Sequence, residues 1–207
     1  MFARSTSINA QRSMIDGGIA HIRDTVMPAL SHLDGYLGLS FMVDRETGRG
    51  MVTSAWRSEE AMRQSAERVI AIRDAAVEAL GASDVALEEW EVVVMHRARH
   101  AREGGCVRAT WLHLDSEDIA DAIETFKHAT LAKIEDLPGF CSASLFVNTA
   151  EARAVTTVGY DDRTSLEYSR EGANAVREQA AQQMDAHIIE VAEFELALAH
   201  LHVPEMV

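Results

Sequence analysis

Two histidines, two arginines and two threonines recur in this chain at one fixed spacing. His96 and His200, Arg4 and Arg108, and Thr6 and Thr110 are each 104 residues apart. An imidazole titrates near neutrality and can take a phenolic proton. A guanidinium beside it can hold the anion that results. A phenolate made in this way can react with dioxygen without a metal. His96, His200, Arg4 and Arg108 are therefore the catalytic candidates. Thr6 and Thr110, with the aromatic pair Trp56 and Tyr160 at the same offset, are the substrate-binding candidates. A plainer expectation stands beside this one. Both histidines would end a strand at the surface with a solvated arginine nearby, and Trp56 and Tyr160 would cover the base of a helix.

A second recurring set is Glu89 and Glu193, Glu91 and Glu195, Arg49 and Arg153, and Thr53 and Thr157. Paired carboxylates serve as acid and base when burial separates their pKa values. Buried charges also need partners. The structural expectation is that these glutamates pair with Arg49 and Arg153 across a sheet-to-sheet seam. Trp111 and His113 stand opposite Ser7 and Asn9, so the two halves have diverged. The second half is the favoured place for a site.

No metal and no cofactor is expected. The chain has nine histidines, but none form H-x-x-x-H or H-E-x-x-H on a helix. His96 and His100 fall at a strand end and in a linker, and His200 and His202 make at most two ligands. There is no phosphate loop, no G-x-S-x-G elbow and no dinucleotide fingerprint.

The elements that position these residues follow from the same repeat. Leu33-Asp34-Gly35-Tyr36 aligns with Leu137-Pro138-Gly139-Phe140, and Glu89-Trp90-Glu91 with Glu193-Phe194-Glu195. Each repeat reads as strand, helix, strand, strand, helix, strand. In the first, residues 3–10 form a strand. Ile15, Ile19, Ile22, Val26, Leu30 and Leu33 then recur at helical steps. Pro28 removes a backbone donor from this helix and is expected to kink it. Leu37 to Asp44 and Arg49 to Trp56 form a hairpin around Arg45-Glu46-Thr47-Gly48. Ser58 caps a second helix that Gly81 ends, and residues 85–96 form the last strand.

The second repeat follows the same order. The boundaries expected are 1–96 for repeat one, 97–105 for a linker, 106–202 for repeat two and 203–207 for a tail. A βαββαβ unit is the ferredoxin-like motif, with both helices on one face of an antiparallel sheet. The first and last strands are antiparallel neighbours, which should bring Arg4 near His96 and Arg108 near His200. Alternation puts Trp90, Val92, Val94 and His96 on one face, taken as the helix side, and Glu89 and Glu91 on the other. The bare sheet face needs cover, and two linked copies can cover each other.

The bulk numbers narrow the partners. A net charge of −14 and a pI near 5.0 argue against nucleic acid and against an anionic membrane surface. Cys106 and Cys141 are the only cysteines and are read as free thiols. No apolar run of about 18 residues is present, and the N-terminus lacks a signal-peptide core. A cytoplasmic protein is expected, with a small-molecule ligand and with an intramolecular pseudo-dimer that is open to further homodimerisation.

Several segments resemble the dimeric α/β-barrel superfamily, in particular its antibiotic-biosynthesis-monooxygenase (ABM) type domain. They are the two helix-end turns above and Val52-Thr53-Ser54-Ala55-Trp56-Arg57-Ser58-Glu59-Glu60-Ala61-Met62, with Tyr160-Asp161-Asp162 as a weaker second copy. The resemblance covers the whole chain twice. It implies an α+β fold: two ferredoxin-like βαββαβ repeats forming a single-chain pseudo-dimeric α/β barrel. It also implies a ligand cleft on the helix side. Members include cofactor-independent oxygenases of polyphenols, haem degraders and proteins without assigned chemistry. The haem degraders carry an Asn on the first strand and a Trp and a His on the second helix. Here the matching strand positions are Thr6 and Thr110, and the helices over 58–80 and 162–184 contain no Trp and no His. Three functions follow: a cofactor-independent monooxygenase of a small aromatic substrate, a non-catalytic small-ligand-binding or structural barrel, and a haem-binding protein using His96 or His200.

Overall fold

Each repeat lays down the same elements in the same order. In the first they are β1 (Phe2–Asn9), α1 (Ile15–His21), α2 (Met27–Ser31), β2 (Tyr36–Val43), β3 (Arg49–Trp56), α3 (Glu59–Gln64), α4 (Ala66–Ala79) and β4 (Ser83–Arg97). In the second they are β5 (Cys106–Leu114), α5 (Ile119–Thr125), α6 (Leu131–Glu135), β6 (Phe140–Asn148), β7 (Arg153–Tyr160), α7 (Arg163–Tyr168), α8 (Arg170–Gln183) and β8 (Ala186–Leu201). This computed structural model describes residues 1–99, 102–114, 119–201 and 204–206. His100 of the expected linker, His202, and Val203 and Val207 of the expected tail lie outside the described residues.

The strands hydrogen-bond as a closed barrel in the order β1-β3-β2-β8-β5-β7-β6-β4. Such closure leaves no open end to the strand order. The α+β fold of two ferredoxin-like repeats in a single-chain barrel is therefore the one expected.

Two compact units make up the chain. Unit 1 is Met1–Trp90 with Glu195–Val203, and unit 2 is Glu91–Phe194 with Pro204–Val207. Each unit thus takes its last sheet segment from the other repeat. In unit 1, β2 pairs with β8 from Val43↔Glu195 to Gly38↔Leu201. In unit 2, β6 pairs with β4 from Val147↔Glu91 to Ser142↔Arg97.

The helix stripe read from the sequence packs as expected. Ile15, Ile19, Ile22, Val26 and Leu30 bury against Leu39 and Phe41 in unit 1. Phe126 and Ile134 do the same against Ala143 and Leu145 in unit 2. Burying each such side chain is worth roughly 1.5–3 kcal/mol. The sheet face turned away from the helices is also buried, through Ser5, Thr53 and Trp90 in unit 1 and Ala109, Trp111 and Phe194 in unit 2. Trp90 Nε1 donates to Ser5 Oγ at 2.9 Å, so its one polar atom is satisfied there. Trp111 meets Phe194 edge-on at 6.5 Å.

The recurring L-x-G-aromatic turn has a steric cause. Gly35 has φ +77°, and a Cβ there would sit 2.6 Å from the Ala61 Cβ. Gly139 repeats this with φ +71° and 2.3 Å to the Ser165 Cβ. Only glycine tolerates both the left-handed backbone and the close approach. The next helix is capped as read: Ser58 Oγ accepts from Ala61 N, and Asp162 Oδ1 accepts from Ser165 N.

Two expectations need correction. Pro28 does not itself distort the first helix. A wider π turn, Ile22–Val26, precedes it, and the same turn occurs at Phe126–Thr130 where the second repeat has Ala132 in the place of Pro28. The turn belongs to the repeat, and Pro28 sits in the first turn after it, where a missing N–H costs little.

The face assignment of the last strands is the second correction. Val92 pairs with Phe146 and Val94 with Leu145, so Val93 is an extra residue. Leu196 and Leu198 pair with Met42 and Phe41, so Ala197 is extra 104 residues later. A bulge resets the alternation. Trp90 and Val92 lie on the face away from the helices, whereas Val94 joins the cluster around Phe126 and Ile134. Glu89 and Glu193 lie on the helix side, where their carboxylates reach Arg4 and Arg108.

Candidate functional site

Each unit has a cleft between its helices and its sheet, and the two are built from equivalent positions. In unit 1 the floor comes from Arg4, Thr6 and Ile8 on β1 and the roof from Ile72, Arg73 and Ala76 on α4. In unit 2 the floor is Arg108, Thr110 and Leu112 on β5 and the roof Val176, Arg177 and Ala180 on α8. The π turns supply one wall, through Ile22 and Val26 in the first and Phe126 and Thr130 in the second. Turns of this kind often mark functional sites because they reset the register of a helix face.

Arg4 and Arg108 are staples at the mouth of each cleft. Arg4 is 5% exposed and Arg108 3%. Arg4 Nη2 donates to Glu89 at 2.7 Å and to the Met62 carbonyl at 3.0 Å. Arg108 Nη2 donates to Glu193 at 2.9 Å and to the Leu166 carbonyl at 2.8 Å. Those carbonyls lie near the ends of α3 and α7, next to Ser65 and Ser169, where the second helix breaks. Each arginine thus joins the last strand to that helix break. Burial pushes the Glu193 carboxyl up, but hydrogen bonds from Arg170 and Arg108 outweigh it and hold the group below the ordinary glutamate range.

The two clefts then diverge in chemistry. In unit 1, Trp56 Nε1 donates to Ser54 Oγ, and Arg73 donates to Asp74. In unit 2, Tyr160 replaces Trp56, and its hydroxyl accepts from Arg108 Nη1 at 2.9 Å. Thr130 replaces Val26, and its hydroxyl is buried with no hydrogen-bond partner among the described residues. Arg177 Nη2 holds Asn174, but its Nε is buried and unsatisfied. Burial first, and then the nearby Arg108, lower the Arg177 pKa. Unit 2 therefore offers unspent donors toward a cavity with a cationic wall, which is an environment for an oxyanion. The cavity volume is about 40 Å³, and the one in unit 1 about 50 Å³.

The residues read from the sequence fall into three groups. Arg4 and Thr6 line the unit 1 cleft, and Arg108, Thr110 and Tyr160 line the unit 2 cleft. Trp56 is buried core beside Tyr36, edge-on at 5.6 Å. The histidines stand apart from both clefts. His96 belongs to unit 2, where Nε2 meets Glu135 and Nδ1 lies 2.7 Å from Glu205. His200 belongs to unit 1 and lines a separate cavity with Tyr36 and Arg23. Of the expected neighbours, Arg4 falls in unit 1 and His96 in unit 2, and Arg108 falls in unit 2 and His200 in unit 1; the last strand carries each histidine past its bulge into the other unit. Sequence reasoning missed Arg73 and Arg177, although they recur at the same 104-residue offset on a helix face. Among the described residues there is no group of three His, Cys, Asp or Glu arranged to hold a metal. Among the same residues no helix is long and apolar enough to cross a membrane.

No protein-family model matches the chain. It is 46% identical to the uncharacterized protein Rv2557 of Mycobacterium tuberculosis (strain H37Rv) over 207 residues, all of this chain and 92% of that one. It is 45% identical to the uncharacterized protein Rv2558 of the same strain, over all of this chain and 88% of that one. Among solved structures it resembles a candidate monooxygenase from Fusobacterium nucleatum, with TM-score 0.69 and 11% identity over 99% of this chain and 95% of that one. An anthrone oxidase-like protein gives TM-score 0.67 and 10% identity over 99% and 94%. A Listeria monocytogenes ferredoxin-fold protein related to antibiotic biosynthesis monooxygenases gives 0.53 and 9% over 95% of each chain. At these identities the shared property is the ABM-type barrel fold.

Proposed function

The chain belongs to the family of the Mycobacterium tuberculosis proteins Rv2557 and Rv2558, and from there we propose that it is a cytoplasmic ABM-like protein whose unit 2 cleft takes a small aromatic substrate and oxygenates it without a cofactor. The observation that carries this reading is the set of unspent donors, Thr130 Oγ1 and Arg177 Nε, beside a buried Arg108. The anthrone oxidase-like protein of the same fold points to the same substrate class.

The chemistry rests on charge. A phenol ionises near pH 10 in water, and a cationic wall favours its anion. Arg177 and Thr130 are placed to hold the oxyanion, and Arg108 acts behind them by positioning Tyr160. The electron-rich anion passes one electron to dioxygen, and the radicals combine to a hydroperoxide after taking up one proton. Loss of water from that hydroperoxide leaves a carbonyl on the substrate. One oxygen atom of dioxygen is retained and the other leaves as water. Neither His96 nor His200 lines this cleft, so the proton is assigned to solvent.

Oxygen uptake with anthrone as the probe tests the reading. Uptake should be catalytic, and Arg177→Gln should lower kcat/KM by at least about tenfold. Arg73→Gln in the other cleft should leave it unchanged. A second reading, a structural barrel without turnover, is favoured by the cleft volume of about 40 Å³. That holds about three waters, against roughly 300–1,000 Å³ for ordinary ligand sites. Absence of both phenol binding and oxygen uptake would select it.

A further inference from the structure

Closing the barrel gives every strand two neighbours, but not along its whole length. β4 has β1 on one side and β6 on the other. β6 reaches only Glu91 to Arg97 of it. Among the described residues, residues 83–90 therefore have a strand on the β1 side alone. Asp84 has φ +52°, so regular extended backbone starts at Val85. Residues 83–87 are all exposed, which leaves both faces of the strand open there. Val85 is 44% exposed and Leu87 45%. Alternation puts these two on one face and Ala86 with Glu88 on the other. The second repeat is built in the same way. β2 reaches only Glu195 to Leu201 of β8, and Ile188 and Ile189 are exposed in the part before them.

An edge of this kind is a template for one more strand. Charge decides which strand it takes. Asp74, Glu78, Asp84, Glu88, Glu89 and Glu91 lie between Arg73 and Arg97, and no Lys or Arg lies among them. No Lys or Arg follows Arg177 in the second repeat either. A second copy of the chain would set this edge against an equally acidic one. Like charges directly opposite each other destabilise a strand pair. The net charge of −14 acts in the same direction. Lysines, a common guard on a strand edge, are absent from β4. The acidic run thus repels the chain's own edges and attracts a basic strand.

We propose that the β4 edge at Val85, Ala86 and Leu87 binds an extended segment of another protein in which apolar and basic residues alternate. The backbone of that segment hydrogen-bonds to the open edge as an added strand. Its apolar side chains lie beside Val85 and Leu87. Its Lys or Arg side chains lie on the face of Ala86 and Glu88, in the field of the acidic run. Main-chain pairing supplies the affinity, and the alternation with its charge supplies the choice of partner.

The test is titration of the full-length chain with the blocked peptide acetyl-Lys-Val-Lys-Val-Lys-Val-amide. Binding is read at the backbone amide resonances of Val85, Ala86 and Leu87 and by hydrogen exchange at the same amides. Saturable shifts are expected, with exchange slowed at least about tenfold at one or more of the three. Leu87→Lys puts a positive charge on the exposed edge and should weaken binding there at least about tenfold. Two control peptides need no variant to fold. The acidic analogue acetyl-Glu-Val-Glu-Val-Glu-Val-amide should not saturate the wild type. Neither should the basic peptide methylated on every backbone nitrogen, which keeps its charge and loses its donors. Sedimentation of the free chain should show no dimer that Leu87→Lys dissolves. Such a dimer would assign the edge to a second copy and overturn the proposal. It is equally overturned if the basic peptide leaves these amides unchanged, if either control binds as well, or if Leu87→Lys binds as wild type.

Discussion

Arg108 and Glu193 show how a catalytic-looking pair can be mainly a staple. Every donor group of Arg108 is already engaged by Glu193, Tyr160, Ser169 or the Leu166 carbonyl. Glu193→Gln leaves that buried guanidinium short of its counter-charge, and we expect a loss of about 3 kcal/mol on urea unfolding. The sign of the pH effect follows from the depressed Glu193 pKa. Its contribution is fully present above the ordinary glutamate range, about pH 4.3. It is lost as pH falls through the lower folded-state value. The wild type should therefore shed stability in that acid window, and Glu193→Gln should shed less of it. Arg177 behaves oppositely, because its buried Nε has no partner among the described residues. Arg177→Met should raise stability by about 1 kcal/mol while abolishing phenol binding. A variant that is both destabilised and still binds phenol would contradict the role given to this residue.

The legible residues were those whose identity repeats. Arg4, Arg108, Thr6 and Thr110 were found that way and do line the clefts. Thr130 could not be found so, because its functional signal is a difference from Val26 in the other repeat. Its unsatisfied hydroxyl is a property of packing, which spacing does not encode.

At the scale of elements, hydrophobic period and turn chemistry placed the helices and hairpins well. They failed at two irregularities. The bulges at Val93 and Ala197 change which face a residue occupies, so plain alternation sent Glu89 and Glu193 to the wrong side. Nothing in the residue types there distinguishes an extra residue from a paired one. The π turns were masked by Pro28, whose known effect offered a sufficient but mistaken cause. Pro28→Ala should keep the turn over Ile22–Val26, since the Ala132 repeat has it. The stability change should stay below about 1 kcal/mol. A crystal structure of the variant with a regular α-helix through residue 26 would disprove this account.

At the scale of the molecule, duplication is the organising fact. Unit 1 contains Glu195–Val203 and unit 2 contains Glu91–Phe194, so neither repeat carries all of its own sheet. The sequence displayed the repeat plainly, but not this exchange of strand ends, because β4 and β8 read as single unbroken strands. The exchange has a direct consequence. Residues 1–99 and 102–207 expressed separately should each lack cooperative unfolding, and mixing them should restore it. Two independently folded halves would refute the exchange.

The central claim is that the second-repeat cleft, and not its counterpart, holds a small aromatic oxyanion. A crystal structure of the protein soaked with anthrone under anaerobic conditions tests this most directly. Density for the ligand should appear against Arg177 and Thr130, with the cleft beside Arg4 and Arg73 empty. Ligand density only in the first-repeat cleft, or in neither, would contradict it.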